Sequence, residues 1–165
     1  MKKLFSIIFF IFILENQANS LIEVDITRGN LDPLPVAVSP LFQESGSIDI
    51  KHKGSIIKNV GERISSIVEV NLKRSGLFNP LKKDSFVQNP DIAHVKPRFE
   101  DWRLIKAQAL VTGKVTVSDE KLRAEFRLWD VVAAKEMLAL AFSTTPDNWR
   151  RVAHIISDKI YQRLT

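Results

Sequence analysis

The side chains able to do chemistry in this chain are few and scattered. Its three histidines, His52, His94 and His154, lie far apart. His154 and Asp158 share one helix face at i,i+4, a spacing that can hold a metal ion, yet no second ligand pair stands by to complete a four-coordinate shell. A surface pair is the stronger reading, and no metal site is assigned. Cysteine is absent, which removes thiol chemistry, disulfides and a lipid-bearing N-terminal cysteine together. Gly54-Ser55 comes nearest to a phosphate loop, but the other glycines and the lysine that cradle a phosphate are missing. Glu100-Asp101 reads as charge at a helix start, not as an acid/base pair. Neither a catalytic residue nor a cofactor is expected, and the chain reads as a non-enzyme.

Binding chemistry is better represented. Trp102, Trp129 and Trp149 could stack on a ligand. Trp102 and Trp149 fall on helical stripes and are expected in the core. Trp129 stands on the polar side of its strand, to be covered by a helix or left at an interface. Lys51, Lys53 and Lys58, then Lys73, Arg74, Lys82 and Lys83, could form a basic patch. Acidic residues are interspersed among them, and a solvated surface is the stronger reading. Residues 21–30 (LIEVDITRGN) carry the alternation of a short strand. Ile22, Val24 and Ile26 alternate with Glu23, Asp25 and Thr27, and Arg28-Gly29-Asn30 ends the run. Nothing upstream ties this strand down, so it is free to fray or to pair with another chain.

The elements that must position these groups centre on residues 109–142, which read as three antiparallel strands. In KLRAEFRLWD, Leu122, Ala124, Phe126 and Leu128 point one way, while Lys121, Arg123, Glu125 and Arg127 point the other. One buried face needs cover, and helices are the obvious source. The first is expected over residues 55–74, with Ile57, Val60, Ile64, Ile67, Val68 and Leu72 on one stripe. Gly61 inside it costs about 1 kcal/mol against Ala, a cost best explained by a neighbouring backbone packed close. Gly76 fits the left-handed cap, with Leu77 folding back. The second helix starts with Thr145 as N-cap and Pro146 at its first position, then buries Trp149, Val152, Ala153, Ile156, Ile160 and Leu164.

Elsewhere, Pro33 and Pro35 make residues 31–35 a stiff connector. Residues 36–42 (VAVSPLF) read as a strand buried on both faces and ended by Pro40. Residues 43–53 and 82–98 read as loops, and 99–106 as a short helical turn presenting Phe99, Trp102 and Ile105. Strand, helix and the re-entry at Leu77-Phe78 make a βαβ unit. The fold class is therefore α/β, with two long helices on one face of a mixed sheet of about five strands.

Residues 1–20 have the form of a secretory signal peptide. Lys2 and Lys3 precede an apolar run over residues 4–14, and Ala18-Asn19-Ser20 is a small-x-small cleavage site. That run is too short for a bilayer core of ~30 Å. The expected product is a soluble periplasmic protein beginning at Leu21, of a size to form one domain. The whole chain has 165 residues and a net charge of +5, mildly basic and short of a nucleic-acid footprint.

RSGLF (residues 74–78), FEDWRLIKAQALVTGKV (99–115), LWDV (128–131) and NWRRVAHIISDKIYQRLT (148–165) together resemble the TolB N-terminal domain family of the Tol-Pal envelope system. The resemblance covers nearly all of residues 21–165. It implies an α/β domain similar to the anticodon-binding domains of some tRNA synthetases, and no catalysis. It also implies a mobile partner-binding segment at residues 21–32, where Leu21, Ile22, Glu23, Val24, Asp25, Ile26, Thr27 and Arg28 would bind the C-terminal domain of TolA. Residues 33–165 would form the domain body. The family's surface for the lipoprotein Pal lies on a β-propeller these residues do not contain, so Pal capture is not expected of them. The implied role is a periplasmic link between inner-membrane TolA and the outer membrane, serving envelope integrity and constriction at cell division. The alternative, a nucleic-acid-binding α/β module, draws on the fold resemblance and the basic charge, and the signal peptide argues against it. Ala133-Ala134, at a turn where the family favours glycine, suggests a loop wider than a tight hairpin.

Overall fold

A computed structural model of the chain describes residues 32–52 and 55–165. In order, the elements are β1 (Leu34–Val38), β2 (Phe42–Gln43), β3 (Ile50–His52), β4 (Ser55–Ile57), α1 (Val60–Arg74), β5 (Phe78–Pro80), α2 (Pro90–Ala93), α3 (Phe99–Leu104), β6 (Ala109–Val117), β7 (Leu122–Asp130), β8 (Lys135–Thr144) and α4 (Trp149–Leu164). Strands β5, β1, β6, β7 and β8 lie side by side in that order, and β2 also pairs with β6 to make six. β1 runs parallel to β5 and β6, while β6, β7 and β8 form the expected antiparallel meander.

The main core lies between this sheet and the two long helices. Leu122, Ala124, Phe126 and Leu128 of β7 are buried there with Val60, Ile64, Val68 and Leu72 of α1. The whole α4 stripe from Trp149 to Leu164 joins them. Both helices therefore cover one face, as the periodicity predicts. β1 is buried on both sides. Val36 and Val38 belong to this core, whereas Ala37 faces a second, smaller one with Ala93, Trp102, Ala107, Leu110 and Val131. Gln88 braces that second core. Its Oε1 accepts from the Arg98 amide at 2.9 Å and from Trp102 Nε1 at 3.1 Å, and its Nε2 donates to the Lys96 carbonyl at 3.0 Å.

Pro40 interrupts the ladder between β1 and β2, and α1 repairs the gap. The Leu41 amide donates to Ser65 Oγ at 2.8 Å, and the Ser65 hydroxyl lies 3.1 Å from both the Ser39 and Gly61 carbonyls. Gly61, one turn before Ser65, lets the Leu41 carbonyl come so close that any Cβ would collide with it. The close backbone approach expected at Gly61 is thus present. At the other end, Gly76 has φ 74° and its amide donates to the Lys73 carbonyl at 3.2 Å, the left-handed cap expected there.

Several boundaries differ from expectation. α1 begins at Val60, not at residue 55, because Asn59 turns left-handed at φ 51° and Ser55–Ile57 belongs to a hairpin with Ile50–His52. Ile57 still reaches the core, but from a strand. Part of the supposed loop over residues 43–53 is therefore structured. Pro35 lies within β1 instead of ending a connector. Its nitrogen falls where the β6 ladder has not yet begun, and its carbonyl accepts from the Gln108 amide at 3.0 Å, so no donor is missed. The segment over 82–98 contains the short helix α2 and a 3-10 turn at Lys83–Ser85. Thr145 precedes a 3-10 turn (Pro146–Asn148), and its Oγ1 accepts from Asn148 Nδ2 at 3.0 Å instead of capping a helix amide.

The β7–β8 connection matches the wider loop expected. Asp130 pairs with Lys135 across four residues, and Asp130 Oδ1 accepts from the Ala133 amide at 2.8 Å. Ala134 sits at φ 52°, where its Cβ crowds the backbone and glycine would not. Ala134→Gly should raise stability by about 0.5–1 kcal/mol after the entropy glycine adds to the unfolded chain. A urea midpoint that stays put or falls would contradict this.

Candidate docking surfaces

Leu21, Ile22, Glu23, Val24, Asp25, Ile26, Thr27 and Arg28 lie outside the described residues. The described chain begins with exposed Asp32 and Pro33 and enters the sheet at Leu34, whose amide donates to the Leu77 carbonyl at 2.9 Å. From Leu34 onward the strand pairs with β5, and β6 pairs along its other side from Val36.

Among the described residues the main strand order ends on β5 and on β8, and these edges differ in kind. β5 is short and ends in Pro80, a poor template for a further strand. β8 is long, and its start is guarded. Met137 is the extra residue of a bulge opposite Leu128 and Trp129, and its carbonyl accepts from Arg163 Nε at 3.3 Å. Beside its middle, Ala139 and Ala141 border a trough of about 440 Å³ shared with Gly113, Arg127, His94 and Val95.

The candidate ligands of metals and rings are otherwise engaged. The His94 ring stacks on Phe42 at 5.0 Å between centroids, with Nδ1 3.2 Å from the Pro90 carbonyl. His154 Nδ1 meets the Asn71 amide nitrogen at 2.9 Å. Among the described residues no group of three His, Cys, Asp or Glu side chains could hold a metal. Trp102 and Trp149 are buried, as their stripes imply. Trp129 is covered by a helix: its ring meets Phe99 of α3 edge-on at 5.8 Å, and its Nε1 donates to Thr112 Oγ1 at 2.9 Å.

In the supposed basic patch Lys53 lies outside the described residues, and Lys58 and Lys83 have different neighbours. Lys83 lies 3.5 Å from Glu69 and donates to Ser66 Oγ at 3.1 Å. Lys58 instead shares a groove with Arg63 and Arg150, a grouping the sequence reading did not make. Only the spatial pairing of α1 with α4 brings Arg150 there, and no local pattern announces it.

Glu44 ties β2 to the meander. Thr116 Oγ1 donates to its Oε2 at 2.6 Å and Lys114 Nζ lies 3.4 Å from its Oε1, and these contacts hold its carboxyl below the usual range. The folded value being the lower one, its contribution is full above the unfolded value and is lost as pH falls through the folded one. The melting gap between the native chain and Glu44→Gln should be present at neutral pH and close in acid. A gap independent of pH would contradict this.

A mixed sheet with two long helices on one face defines an α/β domain, with a guarded edge and open surface grooves. Residues 22–137 match the family model described as the TolB amino-terminal domain, and the chain belongs to that family. It is 67% identical over 154 residues to the Tol-Pal system protein TolB of Pelagibacter ubique, a match covering 90% of this chain and 33% of that protein. The chain thus spans about a third of that relative's length. The crystal structure of TolB from Acinetobacter baumannii superposes with a TM-score of 0.61 at 23% identity, covering 88% of this chain and 31% of the other. The PelC dodecamer from Paraburkholderia phytofirmans shares the fold at a TM-score of 0.52 and 16% identity, over 82% of this chain and 92% of that one. Among the described residues no helix is long and apolar enough to cross a membrane.

Proposed function

We propose that this domain is a non-enzymatic periplasmic component of the Tol-Pal system, built to present residues 21–32 to the C-terminal domain of TolA. The observation that carries the reading is the strand alternation of Ile22, Val24 and Ile26 immediately ahead of a body that begins its grip at Leu34. A segment of this pattern gains main-chain hydrogen bonds by adding to a partner's sheet, and its alternate side chains supply specificity. Family membership supports the Tol-Pal system as the setting, where such a contact would link an inner-membrane partner to the outer membrane during envelope constriction.

The test is a pull-down with the TolA C-terminal domain of the same organism. Replacing Ile22, Val24 and Ile26 together by Ser should abolish capture and leave the circular dichroism melt nearly unchanged. Capture that survives all three replacements would put the binding surface elsewhere, with the trough beside β8 the next place to look.

A further inference from the structure

α1 and α4 run side by side in the same direction. Asn71, near the end of α1, donates to Ser157 at 3.0 Å midway along α4, while the first turns of both helices share one groove. Both therefore turn their positive, N–H-rich ends to the same side of the molecule. Neither start is closed by its own side chain, for Asn59 and Asn148 make no cap bond to the helix amides.

The groove between these first turns holds about 550 Å³ and is lined by Lys58, Arg63 and Arg150, with Glu62 the one carboxylate. Arg63 Nε donates to the Lys58 carbonyl at 3.0 Å, and the Arg150 guanidinium lies 4.3 Å over the Trp149 ring. Among the described residues no ion pair neutralises any of the three cations. Trp149 forms part of the wall and is only 3% exposed, yet its indole N–H meets no acceptor among the described residues.

We propose that this groove binds an acidic peptide segment of a partner protein. Its carboxylates would seat on Lys58, Arg63 and Arg150. A lone phosphate calls for converging donors. Here the cations are spread along two helix starts, and Ile67 and the Trp149 ring add apolar wall between them, which suits an extended chain with carboxylates at intervals. None of the groove's lining residues belongs to residues 21–32.

Fluorescence anisotropy of a labelled hexaglutamate peptide tests it, titrated with the full chain at low salt. Saturable binding that weakens as salt rises is expected. Arg63→Ala with Arg150→Ala should weaken it at least tenfold without moving the melt. Lys73→Ala with Arg74→Ala, at the far end of α1, should change nothing. If the double variant melts early, Lys58→Gln alone must still weaken binding. Absent saturation, equal binding by the groove variants, or an equal loss in the far-end control overturns the proposal. Displacement of the peptide by an equal concentration of inorganic phosphate overturns it in favour of a single-oxyanion site.

Discussion

Gly61→Ala should destabilise the fold by about 2–3 kcal/mol, against the gain of about 1 kcal/mol that helix propensity alone would give. The new Cβ would collide with the Leu41 carbonyl, a backbone atom that cannot rotate away. Relief would require α1 to lift from the break between β1 and β2. Lifting also breaks the Ser65 contacts to the Leu41 amide and the Ser39 carbonyl, the groups Pro40 leaves without a ladder. A fall of melting temperature on the order of 10 °C is expected. The control is Val70→Ala, on the exposed side of the same helix, which should move the melt little. A rise in the Gly61→Ala melt would mean that propensity governs this position and contact does not.

Trp102→Ala should cost about 3–5 kcal/mol, a large part of the 5–15 kcal/mol typical of a whole domain. Trp102 is 1% exposed and is the largest side chain of the second core, packed edge-on against Phe86 at 5.1 Å. Its loss leaves a cavity in a small core whose other members are three alanines, Leu110 and Val131, and it removes one donor from buried Gln88. Trp102→Phe separates the two effects, since it restores most of the volume and leaves the Gln88 bond broken. Amide exchange should show residues 81–107 opening first, with β6 and β7 still protected. Equal exchange across the sheet and this segment would show the second core to be no separate unit.

The legibility of the sequence followed the length of each pattern. β7 and α4 repeat their periods often enough that every apolar position found its place. Gly61 and Gly76 were readable because glycine in a helix, or just past one, has few other reasons. The β3–β4 hairpin escaped because strands of three residues offer one buried position each, Ile50 and Ile57. Ile57 also sits at helical spacing from Val60 and Ile64, so one apolar residue satisfies two periods and the helical pattern extends beyond the helix. Pro35 reads as a connector residue, yet a missing N–H matters only on the side where a ladder exists. For the site, the alternation of residues 21–26 was plain in the sequence. The groove of Lys58, Arg63 and Arg150 was not, because its members come together only when two helices distant in sequence lie parallel.

The most direct test is calorimetric titration of the TolA C-terminal domain with a synthetic peptide of residues 21–32, beside the full chain. If this segment carries the contact, the peptide alone should bind with a Kd within about tenfold of the full chain's, a difference of no more than ~1.4 kcal/mol. Heat from the full chain with none from the peptide would contradict it.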